Sequence, residues 1–393
     1  MKSPIRSAAI AATTAVVLTA CSGKLPHLPD SRIPEPRPSE LETVLFMMGD
    51  AGEAHRDTDP VMRVMQADVE RWSDLMTRDS TIIVLFLGDN VYPAGLHDRT
   101  DPLFPEDSAK LQAQVDVVNG RRAREKGVRG IFIPGNHDWG QTRGLVGIDR
   151  LHNQDEMLKR RHAEGSPVRM MPSPGTPGPQ TIDIGTRLRI LLMDSAWWML
   201  TGKDTSKQVV YREMKRAVDN AGTRDVVVAA HHPFRSASSH GGLMPFWSGV
   251  GLRYLLNRSG AVLQDLSSLP YRSLTQALLA AFAEHPPLVF AGGHDHNLQV
   301  IDGRGGAEPK YILVSGAGSK NDGVGYVKGM RFRHAAAGYM RLMFYRDGRV
   351  DLFVISAPGD QTPKCIDPDP AAREKCMVTT ANLYSDVYSA RLK

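Results

Sequence analysis

Side chains that bind metal ions or transfer protons follow five apolar runs of this chain. Carboxylates, imidazoles and amide or phenol oxygens are the usual protein ligands of catalytic metals. The five stretches are MGDAG with Asp50, GDNVY with Asp89 and Tyr92, PGNHDWG with Asn136, His137 and Asp138, VVVAAHHPF with His231, and GGHDHN with His294 and His296. Two histidines at positions i and i+2 of an extended segment point to the same side, so GHDH favours metal ligation.

Each stretch taken singly also has a purely structural interpretation. An Asp after Gly at the end of a strand often forms an Asx-turn or caps a helix, and a histidine such as His231 is often hydrogen-bonded in a core. The recurrence after five strand-like runs favours a shared site, because ligands of open α/β sheets bind beyond the carboxyl ends of the strands. We therefore expect these side chains to meet at one edge of the sheets.

The elements that must position these residues alternate along the chain. Short runs that are apolar throughout are typical of strands covered on both faces, and they lie at 43–48, 81–87, 130–134, 188–194, 225–230, 287–292 and 311–316. Amphipathic segments that predict helices lie at 60–76, 107–126, 151–163, 207–221 and 270–284. The turn RDGR within 339–356 predicts a hairpin, and the Pro/Gly-rich stretch 166–180 a loop. The pattern predicts one α/β domain with sheets between helices.

Composition is that of a globular protein. The 393 residues are 41% hydrophobic and 23% charged, with a formal net charge of +5. A charge this small, without a long Lys/Arg run, argues against a nucleic-acid partner. The oligomeric state has no signature in the sequence.

The first twenty residues have the pattern of an export signal. A basic head with Lys2 and Arg6 precedes a short apolar stretch that ends in LTAC. We expect a lipoprotein signal over 1–20 with lipidation of Cys21, which would anchor the protein in the cell envelope; an ordinary signal peptide is the alternative. Residues 21–40 read as a Pro-rich tether, residues 41–356 as the folded domain and 357–393 as a tail.

Two further cysteines, Cys365 and Cys376, lie in the tail. Export places them in an oxidising compartment, which favours a disulfide between them. A pair of free thiols is the alternative.

In chain order, the stretches GDxG, GDxxY, GNHD, VxxH and GHxH resemble the motifs of the calcineurin-like metallophosphoesterase superfamily. Tyr92 makes the set similar to the purple (tartrate-resistant) acid phosphatase branch, as does YILVSGAGS at 311–319. The resemblance spans residues 43–355. It implies a four-layer α/β sandwich of two mixed β-sheets flanked by helices.

The resemblance also implies a ligand set for two metal ions. Asp50, Tyr92 and His296 would hold the first ion, and Asn136, His231 and His294 the second, with Asp89 bridging both. A phenolate with carboxylates suits Fe(III), whereas an amide and two imidazoles suit a divalent Fe, Zn or Mn ion. Tyr92 packing beside a Zn or Mn site is the alternative.

The implied reaction is hydrolysis of phosphate esters by hydroxide generated at the two ions. His137 would contact the substrate, with Asp138 orienting its ring. His240, nine residues after His231, matches the family's second catalytic histidine and would assist departure of the leaving group; its alternative is a surface histidine.

Three functions follow from this pattern. The expected substrate is a phosphorylated small molecule, most simply a phosphomonoester. Phosphodiesterases and nucleotidases share the same ligands, so they stay as alternatives. A binding lipoprotein that has the fold without catalysis is the third, although all seven ligand positions are filled.

Overall fold

Two mixed β-sheets of seven strands each form the centre of the fold. The structure is a computed structural model, and it describes residues 33–55, 57–141, 147–200, 205–238, 265–266, 268–357 and 364–393. The first sheet has the order β14-β13-β12-β1-β2-β3-β4, with strands β1 Leu41–Met48, β2 Thr81–Phe86, β3 Arg129–Phe132, β4 Val168–Met170, β12 Gly338–Tyr345, β13 Val350–Ser356 and β14 Ser385–Arg391. The second has the order β11-β9-β10-β8-β7-β6-β5, with strands β5 Gln180–Ile184, β6 Leu188–Met193, β7 Asp225–Ala230, β8 Val289–Gly292, β9 Leu298–Asp302, β10 Tyr311–Ser315 and β11 Met330–His334.

Each sheet contains a block of four parallel strands, which reaches the edge at β4 in the first sheet and lies between antiparallel strands in the second. In the first sheet β1 to β4 run parallel, and β12 pairs antiparallel with β1. In the second sheet β6, β7, β8 and β10 run parallel. The parallel strands bring their carboxyl ends to a common edge.

Helices cover the outer faces of the sheets. Within the described residues they are α1 Pro60–Leu75, α2 Phe104–Val117, α3 Arg121–Lys126, α4 Ile148–Ala163, α5 Ser195–Leu200, α6 Ser206–Asp219, α7 Leu269–Ala281 and α8 Pro370–Ala381. No helix in this part of the chain is long and apolar enough to cross a membrane.

The apolar runs are continuous because both faces of the central strands are buried. In β1, Leu45 and Met47 pack between the sheets, whereas Phe46 packs in the cluster that contains Trp72 of α1. Burying each such side chain contributes about 1.5–3 kcal/mol. The seven runs predicted as strands are confirmed, as is the hairpin formed by β12 and β13. The four-layer sandwich expected from the resemblance is confirmed as well.

The helix predicted over 107–126 is two helices, α2 and α3, and the break has a tertiary cause. The Glu70 carboxylate of α1 accepts hydrogen bonds from Arg122 N at 3.2 Å and Ala123 N at 2.7 Å, so it caps the start of α3. A side chain at Gly120 would collide with this carboxylate. The new helix therefore begins where α1 supplies its acceptor.

Two segments predicted to be irregular contain strands. The loop 166–180 includes β4, and its last residue, Gln180, begins β5, so it carries the chain from the edge of one sheet to the edge of the other. In the tail, β14 pairs with β13 along Asp351–Ser356 and α8 precedes it. A disulfide joins Cys365 to Cys376, with the Cα atoms 5.6 Å apart.

Candidate metal centre

The polar side chains follow the carboxyl ends of strands from both sheets. Asp50, Asp89 and Asn136 lie in the loops after β1, β2 and β3 of the first sheet. His231 and His294 lie just after β7 and β8 of the second. The site therefore lies at the carboxyl ends of strands from both sheets.

Asp50, Tyr92 and His296 form one group, called here the first group. The Tyr92 hydroxyl lies 3.0 Å from Asp50 Oδ1 and 3.2 Å from His296 Nε2. The remaining pair, His296 Nε2 and Asp50 Oδ1, is 3.6 Å apart. Asp50 and Tyr92 are fully buried, and the side chain of His296 is 16% exposed.

Asn136, His231 and His294 form the second group. Asn136 Oδ1 lies 2.9 Å from His231 Nε2 and 3.2 Å from His294 Nδ1. All three side chains are buried. His231 Nδ1 is 2.8 Å from the carbonyl oxygen of Leu87, so its Nε2 faces the group.

Asp89 lies between the two groups. Its Oδ1 is 3.3 Å from His231 Nε2 of the second group, and a carboxylate oxygen of Asp89 lies within 4.8 Å of one of Asp50 in the first group. The backbone N–H of His137 donates to the same Oδ1 at 2.9 Å. The Asp89 carboxylate thus lies between the donor atoms of the two groups.

Three residues of the site have left-handed backbone. The φ angles are 58° at Asp50, 56° at Asp89 and 68° at His294. Such conformations cost about 1–3 kcal/mol each in residues with a side chain, and they cluster at functional sites. A 2.7 Å hydrogen bond from His294 N to Asp50 Oδ2 helps to hold two of the three.

Burial and charge shift the pKa values in the site strongly. Burial raises the pKa of Asp50 to about 6, and burial with the nearby carboxylates raises that of the Tyr92 phenol. For His231 burial lowers the pKa, but the Asp89 carboxylate outweighs it and the pKa rises to about 10. For Asp89 burial raises the pKa, but His231 and His137 together lower it overall. Without a metal, protons on Tyr92 and His231 stabilise the carboxylates.

The donor atoms have the spacing of a metal coordination sphere. Neighbouring ligand atoms about 2.0–2.2 Å from a common ion lie about 2.8–3.6 Å from one another in octahedral or tetrahedral arrangements. In the two groups the neighbouring donor atoms lie between 2.9 and 3.6 Å apart. The ligand atoms of Asp50, Asp89 and His231 all lie within 4.8 Å of one another. The residues present therefore fit metal ions.

A second acidic cluster, Asp219 with Glu284 and His285, lies at the surface. The Lys215 ammonium is 2.8 Å from Asp219 and 3.1 Å from Glu284. A positive charge is thus already supplied to that cluster by the protein.

His137 borders the site. Asp138 was expected to orient the His137 ring, but its carboxylate binds other groups. His137 Nε2 lies 3.8 Å from Asp89 Oδ2, and Nδ1 lies 2.6 Å from the Pro93 carbonyl oxygen. The Asp138 carboxylate instead accepts hydrogen bonds from backbone N–H groups of Asn90, Val91 and Gly135 at 2.7–3.2 Å. It holds together the loops that carry Asp89 and Asn136, because these buried N–H groups need an acceptor.

Several contacts of the site have little or no signal in the sequence. The Gln141 side-chain amide lies 2.6 Å from His137 Nε2. The buried His232 ring packs 4.5 Å from the His294 ring, and its Nδ1 is 2.9 Å from Ser195 Oγ. Asp322 Oδ2 lies 2.8 Å from His296 Nδ1. The HH dipeptide was a signal for His232; Gln141 and Asp322 had none. His240 and Cys21 lie outside the described residues.

Comparisons with known proteins show the fold. No family model matches the chain, and no curated protein matches it. Among solved structures it is similar to GAP50, the anchor in the inner membrane complex of Plasmodium, with TM-score 0.52, 14% identity and coverage of 86% of this chain and 95% of that one. It is similar to PhoD with TM-score 0.52 and 11% identity, over 83% of this chain and 68% of that one.

A purple acid phosphatase, PPD1 from yellow lupin (Lupinus luteus) seeds, also matches. The TM-score is 0.47 and the identity 14%, over 82% of this chain and 52% of that one. The two matches with a TM-score of 0.52 show a shared architecture. At identities of 11–14% the activity has to be argued from the site itself.

Proposed function

We propose that the protein is a metal-dependent phosphoesterase that holds two ions. The observation that carries the proposal is the pair of donor groups with the Asp89 carboxylate between them, 3.3 Å from His231 Nε2 and within 4.8 Å of a carboxylate oxygen of Asp50. The phenol and carboxylate oxygens of the first group suit Fe(III), and the amide and imidazoles of the second suit a divalent Fe, Zn or Mn ion. When bound, two such ions neutralise a phosphate ester and make hydroxide available at neutral pH.

The chain's own residues would orient the substrate around this centre. His137 is half-buried beside Asp89 and packs edge-on against Tyr92, with ring centroids 4.3 Å apart. Nδ1 donates to the Pro93 carbonyl oxygen, and Nε2 of the neutral ring accepts from the Gln141 amide. A phosphate oxygen would therefore have to displace Gln141 and take a hydrogen bond from a protonated Nε2. Burial lowers the His137 pKa, so a neutral imidazole borders the metal-free site at neutral pH.

We propose phosphomonoesters as the substrate class and His240 as the group that assists the leaving alkoxide. His240→Ala should keep both ions and slow turnover by about 10²–10⁴, the usual contribution of general acid catalysis. The loss should be smaller for p-nitrophenyl phosphate than for an alkyl phosphate, since p-nitrophenolate needs little protonation. Equal losses for both esters would argue against a proton donor.

Asp89→Asn tests the site itself. The purified protein is analysed for metal content and for hydrolysis of p-nitrophenyl phosphate and bis-p-nitrophenyl phosphate. The variant should lose metal and several orders of magnitude in kcat, because the nucleophile depends on the ions. Asp183→Asn, at an ion-paired surface position, is the matched control and should change neither.

Two outcomes would overturn the proposal. An Asp89→Asn protein with full metal content and normal kcat would place the chemistry elsewhere. A wild-type protein that binds metal but hydrolyses neither ester would favour the non-catalytic alternative, which the similarity to the anchor GAP50 supports. Preference for the diester would select the phosphodiesterase alternative.

We also propose that Cys21 carries a lipid anchor and that the protein faces the periplasm or cell exterior. Cys21→Ser should move it from the membrane fraction to a soluble or unprocessed form, because stable attachment needs several acyl chains. Unchanged fractionation would refute the anchor and leave the hydrolase proposal intact.

A further inference from the structure

A short segment after β10 contacts all three residues of the first group. This supporting segment is Ser319–Asp322, and none of its residues belongs to the ligand set. We infer that it positions the first group for its metal ion, so that the affinity of one ion is set separately from that of the other. The inference rests on the proposed two-ion site.

Ser319 holds the backbone of Asp50. Its hydroxyl donates to the Asp50 carbonyl oxygen at 2.5 Å and accepts from Glu53 N at 3.2 Å. Asp50 has a φ of 58°, a conformation that persists only when its surroundings fix it. The buried Ser319 hydroxyl supplies such a contact on both sides of the turn that begins at Asp50.

Lys320 places a positive charge on the ring of Tyr92. Its ammonium lies 3.6 Å from the ring centroid, and an ion pair of 2.9 Å with Glu53 holds it there. A cation over an aromatic face is attracted by the ring electrons, more strongly where water is excluded. Because the ammonium sits over the ring, this charge lies close to the phenol oxygen that would bind the metal.

Asp322 fixes the imidazole of His296. Its carboxylate lies 2.8 Å from His296 Nδ1, and its backbone N–H donates to the His296 carbonyl oxygen at 2.8 Å. With the Nδ1 proton donated to Asp322, the lone pair of Nε2 points towards Tyr92 and Asp50. Partners of this kind set the tautomer and basicity of a metal-binding histidine, and losing one typically weakens metal binding 10–100-fold.

The second group is supported by other elements. His231 Nδ1 is held by the Leu87 carbonyl oxygen after β2, and the His294 ring packs against His232. A change in the supporting segment should therefore weaken the binding of the ion in the first group and leave the binding of the other ion unchanged.

The test measures metal binding rather than turnover. Full-length protein loaded with iron and zinc is dialysed against graded concentrations of a chelator, and the retained metal is counted for wild type, Asp322→Ala, Asp322→Asn and Lys320→Met. In Asp322→Ala one of the two ions should be lost at a chelator activity 10–100-fold lower than in wild type. Asp322→Asn keeps an oxygen that accepts the Nδ1 proton, so it should recover most of the affinity.

Lys320→Met provides a spectroscopic readout. The ammonium stabilises the ring electrons of Tyr92, so removing it should shift a tyrosinate-to-iron absorption band to longer wavelength. Matched controls are Lys393→Met and Asp183→Ala, which remove ion-paired surface side chains outside both the donor groups and the Asp219 cluster. Both controls should keep the wild-type metal content and spectrum.

The outcomes separate this inference from the proposed function. If the wild type binds two ions and Asp322→Ala retains both with unchanged affinity, the segment does not position the first group and the phosphoesterase proposal stands. If Asp322→Ala loses both ions together, or Asp322→Asn fails to recover either, the effect is general destabilisation and the inference is wrong. A wild type that binds no metal overturns both.

Discussion

Tyr92 would have two protonation states in this site: a phenol in the metal-free protein and a phenolate when its oxygen binds a metal ion. In the metal-free protein burial and the neighbouring carboxylates raise the pKa of the phenol, which donates a hydrogen bond to Asp50. As a metal ligand the same oxygen must lose its proton. Metal binding is therefore coupled to proton release at this residue.

The first prediction concerns this coupling. At pH 7 both Tyr92 and His231, whose pKa is about 10, carry protons in the metal-free protein, and the pKa of His296 is raised as well, so loading the site should release at least about two protons. Since protons compete with the ions, metal affinity should fall as the pH is lowered. Calorimetry in buffers of different ionisation enthalpy measures the number released; a value near zero would mean that these two groups are not ligands.

The second prediction tests the tyrosine directly. Tyr92→Phe keeps the buried ring and removes only the oxygen, so the fold should survive. An iron-loaded wild type should be violet to pink in its oxidised state, and the variant should be colourless. A colourless wild type with iron at full occupancy would refute the ligand role, whereas a colourless active protein without iron would remove only the iron assignment.

At the scale of elements, the site depends on how closely the loops after β2, β3 and β7 approach one another. Gly88, just after β2, has a φ of 88°, and a Cβ there would lie 2.7 Å from His231 Nδ1. The same Cβ would lie 2.9 Å from the Cα of Gly135, in the loop after β3. Only glycine lets these loops meet here.

The third prediction follows from that approach. Gly88→Ala should displace the His231 ring and sharply reduce metal binding, and left-handed strain should lower the free energy of unfolding by about 1–2 kcal/mol. Gly127→Ala is the matched control, because its φ is 75° but nothing lies within 4 Å of the new Cβ. Denaturant unfolding should show a lower free energy of unfolding in both variants, because both positions have positive φ. Metal analysis should show loss of metal only in Gly88→Ala. Normal metal binding by Gly88→Ala would contradict the prediction.

At the scale of the whole molecule, the tail fastens the first sheet to α1. Cys365 N donates to the Thr58 carbonyl oxygen at 2.8 Å, just before α1 begins. Glu374 of α8 accepts two hydrogen bonds from Arg63 of α1 at 2.7 and 2.8 Å. The disulfide closes the segment 365–376, which contains both of these contacts and precedes strand β14.

The fourth prediction concerns this closure. Cys376→Ser should lower the free energy of unfolding by about 2–4 kcal/mol, because the unfolded chain gains the freedom that a short closed loop denies it. Metal content should not change, since the disulfide does not touch either donor group. As a control, a reductant should destabilise the wild type similarly and leave the variant unchanged. Equal stability of the two proteins would show that the bond contributes nothing.

The sequence by itself determined the elements and the residues that come to their ends. Central strands such as β1 and β7 are buried on both faces, which makes them apolar throughout and therefore visible as runs. Where parallel strands share an edge, the polar residues after them must meet, so the proximity of Asp50 and Asp89 after β1 and β2 follows from local patterns. His231 follows β7 of the second sheet, and it reaches them only because the two sheets pack together.

Only the tertiary structure decided which atoms touch. Asp138 turns towards the backbone of Asn90 rather than towards its neighbour His137, Glu70 interrupts a predicted helix from another element, and β14 joins the first sheet from the tail. Lys320 and Asp322 reach ligands that come from different strands. Such contacts join residues far apart in the chain, and they depend on distances and angles between packed elements. The periodicity of a local segment predicts which of its residues are buried, but it does not predict the distances between atoms of different elements.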